Sequence, residues 1–335
     1  MYKIIIDAMG SDNGVEAVVG GTLAAMSEFD DISAVFVGRE SEIKHFLNDG
    51  RFADRISVVD ASDVIEMSEP PVKAIRTKTG SSLVTALNLL KNGQGDALVT
   101  AGSTGAAIAG ATLIVRRAKN VERAALAPLL PTVKGTWTQL IDCGANVDCK
   151  PYQLKQFAIM GSIYMSAIEG IENPKVGLLN NGTEEEKGCA LTKETYALLK
   201  ETEGINFIGN VEAREALSGC CDVIVCDGFT GNILMKSMEG ATRSMMSMLK
   251  KELTATFSAK IGALFAKKAF YKVKKLMDYK EYGGALLLGI NGCVVKAHGD
   301  STVLSFKNAV LQARRVSEKH IVSTITEKLL SLRPE

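Results

Sequence analysis

The 335-residue chain predicts an α/β fold: three layers, α/β/α, around a mainly parallel sheet, with one helical excursion. Three observations carry that prediction. Short apolar runs rich in β-branched residues recur along most of the chain, helix-length segments lie between most of them, and several runs end in glycine beside Asp, Asn, Ser or Thr. Strands buried on both faces read as continuous apolar runs, and ligands of such sheets gather at the strands' carboxyl ends. The expected organisation is a single domain over 1–335 with a basic amphipathic helical excursion at about 240–280.

In chain order the strand candidates are KIIID, SAVFVG, ISVVDAS, DALVTA, TWTQLIDCG, KVGLLNN, INFIGN and DVIVCDG. The opening MYKIIIDAMG reads as a buried first strand and not as a signal peptide, because Asp7 interrupts the apolar run after three isoleucines. Helices are expected over Val15–Ser27 and Pro151–Glu169. Ala97 to Val115 is nineteen residues without a charge, long enough for a membrane span. Gly102-Ser103-Thr104-Gly105 at its centre favours a strand, a turn and a buried helix instead.

From Lys250 to Lys275 eight lysines and one acid, Glu252, interleave with Leu249, Leu253, Phe257, Ile261, Leu264 and Phe265. Those apolar residues fit one helical face, which Lys260 shares and Gly262 threatens to break. Such a segment suits an anionic membrane surface or an acidic protein, or else an ordinary solvated helix with one face on the core. Asn291-Gly292 between two apolar runs predicts a hairpin, and Thr302 to Leu330 a closing amphipathic helix with Ala309, Val316 and Ile325 among its apolar positions.

With 39 basic and 38 acidic residues the chain offers no global attraction for nucleic acid. Seven cysteines lack paired metal-ligand spacing, and Cys220, Cys221 and Cys226 have no second pair or nearby histidines, so reduced thiols and no metal are expected. There is no GxxxxGK[ST], no GxGxxG after a strand, no HExxH and no kinase set, so nucleotide and zinc-hydrolase chemistry lacks support.

Five strand ends stand out: DAMGSD, AGSTG, DCGAN, NNGTEEEKG and CDGFTGN. Each alone is ordinary turn chemistry, but five on one face of a sheet make a candidate site. Two of them match. Asp96 to Gly105 aligns with Asp222 to Gly231 through the leading Asp, Val99 with Val225, and Gly-x-Thr-Gly, which predicts two equivalent strand-turn-helix units facing one cleft.

The chemistry-bearing residues leave alternatives open. AGSTG is one residue from a GxSxG elbow, and Ser103, Asp227 and His298 follow in hydrolase order. Lys187 fits a solvated helix start behind three glutamates or a lysine turned inwards to phosphate. Asn232 fits an oxyanion donor or an N-terminal cap. His298, beside Gly299, fits a structural histidine or a ligand contact. Arg76, Lys78, Ser81 and Ser82 in RTKTGSS form a second anion candidate, with Ser-Ser capping a helix that faces the same cleft.

DAMGSD, AGSTGA, ALAPLLPT, DCGANVDCKP, QFAIMGSIYM, VGLLNNGTEEEKG, INFIGNVEAR, CDGFTGNILMKSMEG, YGGALLLG and VKAHGDS occur in this order over nearly the whole chain. They resemble the blocks of the bacterial phosphate acyltransferases of phospholipid synthesis. That resemblance implies a Rossmann-like fold of the phosphotransacylase and isocitrate-dehydrogenase kind, forming one catalytic domain. It implies transfer of a fatty acyl group from acyl carrier protein to inorganic phosphate, giving acyl phosphate for phosphatidic acid synthesis, without a cofactor. It also implies a cytoplasmic homodimer bound peripherally to the membrane, with the downstream membrane glycerol-phosphate acyltransferase as a candidate partner. The family's excursion has an apolar tip near the dimer interface. Mapped here, membrane or carrier contact falls on Leu253, Phe257, Lys260, Ile261, Leu264, Phe265, Lys267 and Lys268. Ser11 departs from the pattern, since the family more often has glycine there.

A departing thiolate has a reference pKa near ~8.5, and phosphate is largely dianionic at neutral pH given a second pKa of about 6 for its esters. Direct attack therefore needs a phosphate cradle, a gathering charge and donors for the tetrahedral oxyanion. The cradle is assigned to Gly102, Ser103, Thr104 and Gly105, the charge to Lys187, the oxyanion donor to Asn232, and a phosphate or thioester contact to His298. Asp7, Gly10, Asp12, Arg76, Lys78, Ser81, Ser82, Asn146, Asp227, Thr230 and Gly231 complete the expected phosphate and substrate contacts. The rivals are a serine thioesterase on Ser103, a lipid-surface binding protein built on the basic helix, and a decarboxylating dehydrogenase, which lacks its nicotinamide fingerprint and a clear aspartate cluster.

Overall fold

Ile4 and Ile6 enter one hydrophobic cluster and Ile5 another, all three fully buried, so the first strand is covered on both faces. The computed structural model describes residues 1–47, 50–276 and 283–331. Its strands are β1 (Tyr2–Asp7), β2 (Ile32–Gly38), β3 (Ile56–Asp60), β4 (Ala97–Thr100), β5 (Ala125–Ala127), β6 (Leu129–Pro131), β7 (Trp137–Ile141), β8 (Lys175–Asn180), β9 (Asn206–Glu212), β10 (Val223–Val225), β11 (Gly284–Leu288) and β12 (Cys293–Ala297). The helices are α1 (Gly14–Glu28), α2 (Glu40–Phe46), α3 (Pro71–Thr77), α4 (Ser82–Lys91), α5 (Thr104–Gly110), α6 (Pro151–Glu169), α7 (Ala190–Lys200), α8 (Gly228–Ala255), α9 (Phe257–Leu276), α10 (Val303–Glu318) and α11 (Ile321–Ser331). Every expected strand forms, α1 and α6 lie where their patterns put them, and β11 and β12 make the hairpin.

The strands divide into two mainly parallel sheets where the reading was of one. The first has the order β3-β2-β1-β4-β12-β11-β5 and the second β6-β7-β10-β8-β9. The division occurs at Pro128. It offers no N–H to a ladder, and the chain changes partner there: β5 pairs with β11 while β6 pairs antiparallel with β7. One hydrophobic cluster still runs between the sheets, from Ile4 and Val99 to Leu178 and Val225, through Phe157 of α6 and Phe306 of α10.

The uncharged stretch from Ala97 folds as β4, then α5, then a π-helical turn over Ala111–Val115. No helix among the described residues is long and apolar enough to cross a membrane. The basic excursion is two helices, not one. Thr256 is extended between them (φ −124°, ψ 161°), and its hydroxyl accepts from Ala259 N at 3.1 Å to cap α9, while Gly262 lies inside that helix. Leu249 and Leu253 therefore lie on a different helix from Phe257, Ile261, Leu264 and Phe265. Phe257 and Phe265 are 81% and 85% exposed. Residues 277–280 of the expected excursion, and Tyr282, lie outside the described residues. The closing helix is likewise two, α10 and α11, broken at His320 (φ 51°), whose carbonyl accepts from Ser323 and Thr324 hydroxyls.

Two glycines let α8 approach the loop after β7. A Cβ at Gly231 would lie 2.0 Å from Asp142 O, and one at Gly228 would lie 2.6 Å from both Asn146 O and Asp142 Oδ2. At Gly102 the nearest atom would be 3.4 Å away, an ordinary contact. Gly231→Ala is expected to destabilise the fold by about 1–3 kcal/mol or more through overpacking, whereas Gly102→Ala should leave stability within about 0.5 kcal/mol; denaturant unfolding of the two variants beside the parent distinguishes them.

Candidate active site

The first group of polar residues gathers where β1, β4 and β12 end. Thr100 Oγ1 donates to Asp7 Oδ2 at 2.7 Å and accepts from Gly102 N at 3.1 Å, so the carboxylate of one strand holds the turn of the next. Ser82, at the start of α4, also hydrogen-bonds Asp7. Gly10 (φ 77°) can sit against Gly102 only as glycine, since a Cβ there would be 3.0 Å from Gly102 Cα. The loop after β12 closes over the loop after β1: Gly299 O accepts from Asp12 N at 2.8 Å and from Ser11 Oγ at 3.3 Å. Ser11, where the resembled family more often has glycine, thus adds a tie between the two loops. His298 is exposed and its Nδ1 pairs with Asp300 at 2.5 Å.

Lys296, which the sequence reading missed, is 8% exposed beneath this group and donates to the carbonyls of Ala101 and Ala297. Burial pushes its ammonium down to about 8, while Asp7 and Asp12 oppose the shift. Burial also raises Asp7 above the usual carboxylate range, countered by Ser82, Thr100, Met9 N and Lys296. A lysine inside the otherwise apolar run CVVKA was the available signal.

Ser103 is 6% exposed and caps α5, its hydroxyl accepting from Ala106 N at 3.4 Å. Thr104 and Gly105 begin the helix, so the first-turn N–H groups stand at its open end. Gly105 packs on Pro71, bringing α3 alongside. Of the RTKTGSS candidates, Arg76 is exposed without an ion-pair partner among the described residues. Lys78 pairs with Glu69 at 2.7 Å and donates to Val64 O at 2.7 Å, which fastens the loop before α3. Ser81 takes the cap position of α4, but its buried hydroxyl makes no cap bond and has no partner among the described residues.

The second group gathers where β7, β8 and β10 end. Asp142, also missed, is fully buried and accepts from Leu126 N at 2.8 Å, Ala145 N at 3.1 Å, Asn146 N at 2.7 Å and Asn146 Nδ2 at 2.9 Å. Burial pushes this carboxyl up and those donors pull it back. Asp227 caps α8, accepting from Thr230 N at 2.8 Å and Thr230 Oγ1 at 2.7 Å. Asn232, half-buried, lies against Gly144, where a Cβ would be 3.7 Å from its Cγ. Its amide has no hydrogen-bond partner among the described residues, so it is not the cap; Asp227 is.

Lys187 is exposed in an irregular loop, and α7 begins only at Ala190, so it neither starts a helix nor turns inwards. Asn180 Nδ2 holds that loop through Lys187 O at 3.1 Å. The five strand ends therefore form two groups. The loop after β7 links them: Gly144 meets Asn232, Asn146 Nδ2 reaches Ala124 O at 2.7 Å, and Ala145 packs on the cluster that includes Ala106 of α5. The matching turns follow β4 and β10, each the central strand of its own sheet. A serine relay finds no acid in Asp227, which is occupied in capping α8. No metal-binding cluster exists among the described residues, and all seven cysteines are free.

The chain's architecture is shared with solved transacylases. It is similar to a phosphotransacetylase from Streptococcus pyogenes (TM-score 0.57, 16% identity, 98% of this chain and 94% of that one). It is similar also to a branched-chain phosphotransacylase from Enterococcus faecalis V583 (TM-score 0.57, 16% identity, 94% and 99%). At such identity the likeness concerns fold alone. A family profile described as "Fatty acid synthesis protein" matches residues 2–324. A phosphate acyltransferase of Clostridium perfringens (strain SM101) is 48% identical over 328 residues, 98% of this chain and 96% of its own length. One of Bacillus cereus (strain B4264) is 46% identical over 324 residues, 97% of each. By profile and by identity along almost the entire sequence, this chain belongs to the phosphate acyltransferase family.

Proposed function

We propose that this acyltransferase takes a fatty acyl group from the thioester of acyl carrier protein and delivers it to inorganic phosphate by direct attack. A phosphate oxygen adds to the carbonyl carbon, the tetrahedral oxyanion collapses, the C–S bond breaks, and acyl phosphate leaves with the free carrier thiol. The observation that carries the direct route is the state of Ser103: buried, capping α5, and with Asp227 occupied elsewhere. No acyl-enzyme is needed when the nucleophile already carries unprotonated, negatively charged oxygens, as inorganic phosphate does at neutral pH.

In this reading phosphate rests on the open end of α5, at Ser103, Thr104 and Gly105, with Gly102, Gly10, Asp12 and His298 around it and Lys296 below. Asp7, Thr100 and Ser82 hold the turn rigid, and Arg76 supplies charge at the rim. Asn232 donates to the oxyanion, with Asn146, Asp227, Thr230 and Gly231 shaping the wall that presents it. Lys187 gathers anions from its exposed loop. The exposed Phe257, Ile261, Leu264 and Phe265, flanked by Lys260, Lys267 and Lys268, with Leu253 on the preceding helix, suit contact with an anionic membrane or the acidic carrier. A homodimer joined near this excursion, peripherally membrane-bound in the cytoplasm and handing acyl phosphate to the membrane glycerol-phosphate acyltransferase, completes the proposal.

Palmitoyl carrier protein incubated with the enzyme should give hydroxylamine-trappable acyl phosphate only when phosphate is present; trapping no product with phosphate, or finding an acyl-enzyme burst without it, defeats the proposal. Asn232→Ala should lower turnover by ~10²-fold or more, the typical loss for one oxyanion donor, and an unchanged rate removes it from the mechanism. Since Lys296 titrates at about 8, its charge is present below that pH and lost above it. The KM for phosphate should therefore climb as pH passes through this value, and in Lys296→Arg, which stays charged, it should not. Fold stability moves the opposite way. The folded pKa lies below the ordinary 10.5, so the cost of the buried charge is relieved as pH rises between these two values. Added salt should steeply weaken use of the carrier-bound donor if the lysines steer it, and a rate indifferent to ionic strength argues against that steering.

A further inference from the structure

A cavity of about 630 Å³ opens between α7 and the first turns of α8, at the carboxyl ends of β8 and β10. Its surface is mainly hydrocarbon: Leu154, Leu178, Leu191, Ile233 and Leu234 line it. Leu178 and Leu154 are 0% and 1% exposed, at its buried end, whereas Ile233 is 50% exposed. Ile233 directly follows Asn232, and Asp227 and Thr230 of the transfer turn belong to the same wall. Asn232 itself is not in the lining, so the cavity opens beside the turn that carries the candidate oxyanion donor.

Most polar side chains of the lining are already engaged, the Asn181 amide and the Ser237 hydroxyl excepted. Thr230 donates twice to Asp227, Asn180 bonds Lys187 O and Asn181 N, and Thr192 Oγ1 donates to Cys189 O. A ligand rich in amides or hydroxyls, such as the carrier's prosthetic arm, would find few partners there and would lose those it had in water. An alkyl chain loses nothing polar, and each methylene it buries favours binding.

We infer that this cavity houses the hydrocarbon tail of the acyl donor, with the thioester carbonyl at Asn232 and the tail passing Ile233 and Leu191 towards Leu154 and Leu178. This rests on the acyl-transfer reading above. The buried leucines close the far end, so the pocket also sets the chain length that the enzyme prefers.

Leu191→Trp, at a half-buried position outside the transfer turns, fills the passage. Displacing roughly four methylenes, at about fourfold each, should lower kcat/KM for the palmitoyl donor by ~10². The same variant should keep its rate with a hexanoyl donor, and its KM for phosphate, within about threefold, since neither depends on buried tail methylenes. Equal losses with both donors, or an unchanged chain-length profile in a variant that still makes acyl phosphate, overturn the pocket and leave acyl transfer standing. A parent enzyme that makes no trappable acyl phosphate from any donor overturns both. Independently of turnover, a carrier-bound chain with a terminal diazirine should label Leu154, Leu178 or their neighbours; labelling confined to α8 and α9 beyond Ser237 refutes the assignment.

Discussion

The carboxylate of Asp142 accepts from Leu126 N at the edge of the first sheet and from Ala145, Asn146 and the Asn146 amide in its own loop. Hydrogen bonds to a charged group contribute about 1.5–3 kcal/mol each, and a buried carboxylate without them would be strongly destabilising. Its position is therefore over-determined, and other features depend on it. It ties the second sheet to β5, it shapes the loop that carries Gly144 to Asn232, and it provides the surface on which α8 begins. Gly228 and Gly231 follow from that contact, because any side chain there would collide with Asp142 or Asn146.

The two sheets echo one another closely enough to expose where they differ. Asp96 Oδ2 accepts from Lys3 N at 2.7 Å while Asp96 N donates to Lys3 O at 2.7 Å. Asp222 and Lys175 repeat the exchange at 2.7 Å and 2.8 Å. From these matching starts, β4 and β10 run through the middle of their sheets into the two Gly-x-Thr-Gly turns. The neighbouring strand then carries Lys296 in register with Thr100 on one side, and Asp142 just past the Ile141–Val225 pair on the other. The first sheet thus holds a buried cation together with the buried Asp7 carboxyl under its turn, and the second holds the Asp142 carboxylate. A buried cation suits an anionic ligand. The anion in the second sheet is taken up by backbone donors and the Asn146 amide, and the Asn232 amide stays unpaired among the described residues.

Much of the site was legible because turn chemistry is local. Gly10, Gly102, Gly105 and Gly231 were marked by their motifs, and each is a place where backbone meets backbone or a neighbouring ring. Ser103 was marked too, but its motif could not separate a nucleophile from a phosphate ligand, and it gave no sign that the hydroxyl accepts from Ala106 N. Lys187 and Lys78 were marked by charge alone, which says nothing of what a long side chain meets. One is exposed, and the other is held by Glu69 and Val64. Lys296 and Asp142 escaped notice because each is a single charged residue within an apolar run, and its importance comes from strands distant in sequence.

Eight strands, the final hairpin, the two matched turns and the family were readable from residue order alone. Those follow from periodicity and residue type over short windows, and from blocks whose order the chain preserves. The division into two sheets emerged only in three dimensions, since the switch depends on which edges β5 and β6 find on either side of Pro128. So did the helix breaks at Thr256 and His320, where a backbone conformation stops a pattern that composition would allow to continue. So too did the choice of which charges are buried beneath the turns, because desolvation depends on every strand around a residue and not on its neighbours in the chain.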